Sequence, residues 1–205
     1  MIDKISRKIL LLLSSDNQSE QEKEIMLFGI TRIVEDIPKA IGIILIGLIL
    51  KIIKEITVVT IIMMIYKTFA GGAHAKTNLG CFIYSVVFYL SIIYSSKYLL
   101  FYGINKVGIY ILMYIFSIYA ILVYVPADVP EIPKVNKNIR RSLKIKSLVI
   151  LNIVYIITFI FVKDIITQNL IIYSTFFISL MTTRTIYNIF KSEYGYETYI
   201  PDELL

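Results

Sequence analysis

Cysteine, histidine and charge are all scarce in this chain of 205 residues, and each scarcity excludes a class of protein. A single cysteine excludes an intrachain disulfide, so the sequence gives no sign of an oxidising compartment. One cysteine and one histidine are too few for a zinc site, and we expect neither a metal nor another cofactor. Charged residues are only 18% of the chain, and its net charge is +6. Because the basic residues do not lie on an extended polar face, we expect no nucleic-acid partner.

Apolar residues fill the chain instead. The hydrophobic share is 57% and the mean hydropathy is +0.74, far above the values of a soluble domain. We therefore predict an all-α integral membrane protein, a single membrane domain over 1–205 that forms a helical bundle of about six apolar segments in the lipid bilayer. Four of these segments approach spanning length, namely 79–96, 108–125, 147–162 and 165–181.

The remaining apolar region, 40–66, is interrupted by charged residues at 51–55. As one helix it would bury three charges at the bilayer centre, each at a cost of about 3 kcal/mol. As a short hairpin it would place most of the 21 Lys and Arg residues on one side of the membrane. The positive-inside rule favours the hairpin in the plasma membrane, with both termini and the segment 67–81 in the cytoplasm.

The other parts of the chain are assigned to the membrane surface or the cytoplasm. Residues 1–37 show helical spacing of apolar side chains, which predicts amphipathic helices that lie in the interface. The proline-bearing segment 126–146 is expected to be a basic cytoplasmic loop, and 182–205 a cytoplasmic tail.

The only histidine and the only cysteine, His74 and Cys81, stand seven residues apart in one glycine-containing segment. A lone cysteine in an apolar chain is often a small buried hydrophobic residue, and that interpretation stays open. On a continuous helix the two side chains would be about 10.5 Å apart along the axis, too far for proton transfer. A catalytic pair therefore requires a break, which Gly71-Gly72 can supply, with Thr77 or Asn78 capping the next helix and Gly80 allowing close backbone approach.

Such a break would place Cys81 in the first turn of a membrane helix. Unpaired N–H groups and the helix dipole favour a thiolate there, and the same N–H groups could contribute to an oxyanion hole. His74 would take the thiol proton and return it to the leaving amine. Lys67 and Lys76 add positive charge that also favours the thiolate.

Two further sets of charged residues are candidates for the site. An acid that orients the imidazole could be Glu35, Asp36 or Asp128, and the sequence does not choose among them. The basic segment before the third span can serve as a positive-inside anchor, and also as a dock for an acidic peptide or an anionic lipid. The docking candidates are Lys134, Lys137, Arg140 and Arg141.

The sequence resembles the accessory gene regulator B (AgrB) family of membrane cysteine endopeptidases over essentially its whole length. The resemblance rests on Gly71-Gly72-Ala73-His74 followed by Cys81, on Val125-Pro126-Ala127-Asp128 with its proline loop, and on the number of apolar segments. It implies that His74 and Cys81 are the catalytic pair and that Gly72 shapes their loop. Family members often carry arginine seven residues before the histidine. Lys67 stands at that position here, and it keeps the positive charge but cannot form the two parallel hydrogen bonds of a guanidinium group.

The resemblance also implies a substrate and a reaction. The substrate would be an AgrD-like precursor of a quorum-sensing signal, with a central cysteine and an acidic C-terminal tail. The enzyme would remove the tail through an acyl-enzyme and support closure of a thiolactone, acting as a homodimer. The alternative function is a non-enzymatic scaffold or a peptide exporter subunit, in which Cys81 is incidental.

Overall fold

The computed structural model describes residues 2–15, 18–75, 77–99, 103–130 and 133–198. These residues are almost entirely helical and contain no strand, so the prediction of an all-α fold is confirmed. The chain divides into two compact units, Met1–Ile53 and Lys54–Leu205.

The first unit consists of two helices, α1 (Ile2–Leu13) and α2 (Glu20–Ile49). A capping box begins α2, since the Ser19 hydroxyl accepts from the Glu22 N–H while the Glu22 carboxylate accepts from the Ser19 N–H. The helix continues through Pro38 and ends just before Lys51, whose φ of 55° turns the chain. This turn falls in the charged stretch between the two arms of the predicted hairpin, which itself stays a prediction.

The second unit begins with a short helical series that leads to the glycine segment. Helix α3 (Ile53–Ile62) passes into a π-helical stretch (Met63–Lys67) and then into the single turn α4 (Thr68–Ala70). The π-helical stretch is anchored by Tyr66, which is fully buried and hydrogen bonded through its hydroxyl to Ser179 Oγ at 2.9 Å.

Four apolar helices form the body of the second unit, and each overlaps a predicted span. Three of them are long and apolar enough to cross a membrane, and the fourth is shorter. Helix α7 begins ten residues before the predicted span because Asn136 caps it, so the basic residues from Lys137 onward lie on a helix and not in a loop, whereas Lys134 precedes the helix. The four are α5 (Asn78–Tyr98), α6 (Gly103–Tyr124), α7 (Lys137–Phe161) and α8 (Ile165–Met181).

Helix α8 is the centre of this unit, and polar side chains fix it to its neighbours. Asn169 is buried, accepts a hydrogen bond from the Tyr110 hydroxyl on α6 and donates to the Ser96 carbonyl on α5 at 3.1 Å. Hydrogen bonds between helices specify their register where lipid offers no water to compete.

The predicted tail is not a plain polar extension in its described part. It forms two short helices, α9 (Arg184–Ile189) and α10 (Gly195–Thr198). Two of its aromatic side chains, Tyr187 and Tyr194, are buried in a small core with Ala73 and Ala127. This core lies directly behind the segment that carries His74.

Candidate active site

The predicted helix break between His74 and Cys81 is present, and two glycines make it. Gly71 and Gly72 have φ values of 79° and 138°, in a region that side chains other than glycine rarely adopt. The Gly71 N–H donates to the Lys67 carbonyl at 2.8 Å, which ends the helix. A Cβ at Gly71 would lie 2.1 Å from the Ala127 carbonyl oxygen, so position 71 has room only for glycine.

Backbone hydrogen bonds attach the segment after this break, the glycine loop (residues 71–77), to two distant parts of the unit. The Gly72 N–H donates to the Ala127 carbonyl at 2.9 Å, and the Ala127 N–H donates to the Ala70 carbonyl at 2.9 Å. The next amide, Ala73 N–H, donates to the Met181 carbonyl at the end of α8 at 3.1 Å. The backbone just before His74 is therefore fixed on both sides.

Thr77 is the N-cap of α5, one of the two residues predicted for that role. Its hydroxyl accepts from the Gly80 N–H at 3.1 Å and its carbonyl accepts from the Cys81 N–H at 2.8 Å. Both amides are thus occupied, which corrects the expectation that these first-turn N–H groups stand free for an oxyanion hole. Any such hole must use other donors, because these two satisfy the cap.

The glycine loop comes close to the first turn of α5. The Ala75 side chain lies 3.5 Å from the position that a Cβ of Gly80 would occupy. Ala75 follows His74 and Gly80 precedes Cys81, so the neighbours of the predicted pair approach each other. Gly80 allows this approach because a side chain would also lie 2.8 Å from Thr77 Oγ1.

Helical spacing places Cys81 on the same face of α5 as Tyr84 and Phe88, which pack against α8. Tyr84, one turn further along this face, donates from its hydroxyl to Met181 Sδ at 3.6 Å. Phe88, a further turn on, packs edge-to-face on Phe177 at a centroid distance of 6.1 Å. Met181 therefore contacts both the helix that carries Cys81 and the loop that carries His74.

The two predicted catalytic side chains differ in exposure. His74 is exposed and Cys81 is half-buried at the start of α5. Lys67 is half-buried beside the loop, with its Cε 3.8 Å from the position of a Cβ at Gly72. Lys76, the other cation expected here, lies outside the described residues. Among the residues that the structure describes, no three His, Cys, Asp or Glu side chains cluster as a metal site would require.

The three candidate orienting acids have different surroundings. Glu35 and Asp36 lie on α2 and form local ion pairs, with Arg32 at 3.4 Å and Lys39 at 2.9 Å. Asp128 belongs to the second unit, where it directly follows the Ala127 carbonyl that holds Gly72.

Asp128 is buried, with only 1% of its side chain exposed. Its Oδ2 accepts from the Lys134 N–H at 2.6 Å and lies 3.7 Å from a guanidinium nitrogen of Arg140. Its Oδ1 is buried with no hydrogen-bond partner among the described residues. These contacts show that the carboxylate stabilises the chain turn that leads into α7.

The four predicted docking residues fall into two groups. Arg140 is occupied, since it also donates to the Lys134 carbonyl at 3.3 Å and its Cζ lies 3.8 Å from the centre of the Tyr196 ring. Lys134 is half-buried, whereas Lys137 and Arg141 are exposed on the first turns of α7. Only the last two present their charges openly to a ligand.

Comparison with known proteins assigns the chain to a family. The family model described as accessory gene regulator B matches residues 2–185, nearly the whole chain. The chain belongs to the AgrB family. The predicted membership is thereby confirmed, and with it a membrane location and a part in agr quorum sensing, a system in which this family is known for peptide processing.

Relatives with AgrB-like names support the same assignment. An AgrB-like protein of Clostridium beijerinckii is 30% identical over 178 residues, which are 86% of this chain and 85% of that protein. AgrB-like protein 2 of Clostridium perfringens is 26% identical over 157 residues, 75% of this chain and 73% of the relative. No solved structure matches the chain.

Three residues at this site were not found from the sequence. Met181 was assigned to the end of a span, and Tyr187 and Tyr194 were assigned to the cytoplasmic tail. Both tyrosines lie beyond the residues that the AgrB family model matches. The repeated tyrosines of Tyr194-Gly195-Tyr196 are an aromatic cluster in an otherwise polar stretch, and this was the available signal.

Proposed function

We propose that this protein is a membrane cysteine endopeptidase that cleaves a small precursor peptide through an acyl-enzyme on Cys81, with His74 as the general base. The observation that carries the proposal is the helix break at Gly71-Gly72, after which Ala75 approaches to 3.5 Å from the position of a Cβ at Gly80. This break supports the proposal because His74 and Cys81 no longer share one continuous helix, on which they would be two turns apart. Proton transfer needs a shorter distance than that.

The reaction has two acyl transfers. The Cys81 thiolate attacks the carbonyl carbon before the acidic tail of the precursor, the S–C bond forms, and the C–N bond breaks as the tail amine takes the proton held by His74. The precursor's own cysteine then attacks the thioester, which releases Cys81 and closes a thiolactone. Exchange of thioesters is nearly neutral in energy, whereas thioester formation from an amide is uphill, so removal of the tail fragment helps to drive the reaction.

Charge near the loop supports binding of an acidic tail. Lys67 lies beside Gly72, and Lys137 and Arg141 are exposed at the start of α7. In this proposal the latter two bind the tail, while Arg140 stabilises the segment through Asp128. The partner is an AgrD-like precursor, and the enzyme acts as a homodimer with its site and both termini in the cytoplasm.

A processing assay tests the proposal against the scaffold or exporter alternative. A candidate precursor is co-expressed with the wild type, with Cys81→Ala or with His74→Ala, and the membranes are analysed by mass spectrometry. We expect a released tail and a cyclised product with the wild type alone. Equal processing by all three proteins would show that the pair is structural and would favour the scaffold or exporter.

A further inference from the structure

Two backbone carbonyl groups accept hydrogen bonds from the glycine loop, and the carbonyl of the residue after each one accepts a hydrogen bond from a tyrosine. Ala127 accepts from Gly72, and the next carbonyl, that of Asp128, accepts from the Tyr187 hydroxyl at 2.9 Å. Met181 accepts from Ala73, and the next carbonyl, that of Thr182, accepts from the Tyr194 hydroxyl at 2.5 Å. The same arrangement thus occurs on both sides of the loop.

The two tyrosine side chains pack against each other. Their rings stack with centroids 4.0 Å apart and an interplanar angle of 8°, and only 1% of Tyr187 and 5% of Tyr194 is exposed. They share a buried cluster with Ala73 and Ala127, the neighbours of His74 and Asp128. Loss of either hydroxyl would remove the donor to the Asp128 or Thr182 carbonyl, each of which follows a carbonyl that accepts a hydrogen bond from the loop.

Both hydroxyls are protonated at physiological pH. Burial, followed by the nearby Tyr194 and Asp128, raises the pKa of Tyr187 well above that of an ordinary phenol. Burial likewise raises the pKa of Tyr194, against the opposing effect of Arg184. Each therefore donates its hydrogen bond throughout the range in which the site would work.

We propose that Tyr187 and Tyr194 are positioning residues that set His74 against Cys81 by fixing the Ala127 and Met181 carbonyls. The inference rests on the proposed function, because it needs a working pair. It assigns a role to a segment beyond the family match, which the mechanism does not otherwise use. A displacement of about 1 Å in a catalytic group can lower a rate about a hundredfold, so two fixed carbonyls are enough to matter.

The test uses the single cysteine as a reporter. The full chain in detergent is reacted with iodoacetamide between pH 5 and 9, and because Cys81 is the only thiol every adduct reports on it. The proteins are the wild type, His74→Ala, Tyr187→Phe, Tyr194→Phe and Tyr173→Phe. The last is a matched control, since Tyr173, in the middle of α8, is 1% exposed and donates to the Leu99 carbonyl at 2.9 Å, at the end of α5 away from Cys81.

An imidazole beside the thiol keeps part of it as thiolate in mild acid, so the wild type should react faster than His74→Ala at pH 6. We expect Tyr187→Phe and Tyr194→Phe to lower that rate about tenfold, toward the His74→Ala profile, and Tyr173→Phe to leave it unchanged. All rates are measured on the monodisperse fraction from size exclusion, so that loss of folded protein does not count.

Two results would overturn the inference. One is a wild-type dependence of the alkylation rate on pH in both Tyr187→Phe and Tyr194→Phe. The other is an equal fall in the alkylation rate of Tyr173→Phe, which would mean a general effect on the fold. Failure of the proposed function looks different. The wild type and His74→Ala would then react alike at every pH, whatever the tyrosine variants do.

Discussion

Gly72 and Ala127 form a hydrogen bond at 2.9 Å that joins the glycine loop to the segment after α6. The bond belongs to a short parallel pairing in which Gly71 faces Ala127. This pairing and the bond from the Ala73 N–H to the Met181 carbonyl fix the backbone just before His74.

Gly71→Ala should abolish processing. The added Cβ would lie 2.1 Å from the Ala127 oxygen, at a φ of 79° that alanine avoids. We expect activity to fall by at least about a hundredfold in the processing assay, because the loop cannot keep its position. Gly108→Ala is the control, since nothing lies within 4 Å of a Cβ at that position. Normal processing by Gly71→Ala would contradict the described loop.

Asp128 should act mainly on stability. Its Oδ2 accepts from the Lys134 N–H, and Asp128→Ala would leave that amide without its acceptor. We expect a loss of about 1–3 kcal/mol in detergent thermal unfolding, and a smaller loss for Asp128→Asn, which keeps an acceptor. The rate per folded molecule should change little in Asp128→Asn. A large fall in that rate at unchanged stability would instead identify Asp128 as the acid that orients His74.

The basic residues at the start of α7 should separate into binding and structural roles. Replacing exposed Lys137 and Arg141 by Gln should raise KM for an acidic-tailed peptide about three- to tenfold, with an effect that shrinks at high salt. Arg140→Gln should lower the unfolding temperature instead, because Arg140 contacts Asp128 and Tyr196. Lys163→Gln, at the other end of α7, is the control. Equal KM effects from Lys163→Gln would rule out a local dock.

Tyr187 should make the protein sensitive to alkali. Its pKa is raised by burial from the ordinary value of 10.0, so its stabilising effect is complete below that pH. The effect is lost as pH rises from there toward the higher folded pKa, because only the unfolded chain ionises. The stability advantage of the wild type over Tyr187→Phe should therefore shrink between pH 10 and 11. A difference that is constant with pH would show that the hydroxyl is not buried as described.

Local signals in the sequence predicted much of this structure. Thr77 as an N-cap and Gly71-Gly72 as a helix break follow from residue chemistry within a few positions, and both are present. Apolar length alone located α8 at Ile165–Met181, the range predicted for the last span. Helix α7 begins ten residues before the predicted span because its first turns are basic and amphipathic, and apolar length does not detect such turns although they are helical.

Contacts between distant segments were beyond sequence reasoning. Nothing near Ala127 or Met181 indicates that their carbonyls accept from the loop, since a backbone acceptor is the same in every residue. The stacked tyrosines were missed for a similar reason, because a polar stretch with a few aromatics is typical of a tail. The occupied N–H groups of Gly80 and Cys81 became evident only with the cap geometry.

Intact-mass spectrometry can detect the proposed acyl group on Cys81. The precursor's cysteine is replaced by Ala, so that the acyl group cannot be transferred to a thiolactone and remains on the enzyme. We predict that the wild type releases the tail and gains the mass of the remaining acyl part, that hydroxylamine removes this mass, and that His74→Ala and Cys81→Ala gain none. Tail release without any adduct on the wild type, or cleavage by Cys81→Ala, would contradict the account.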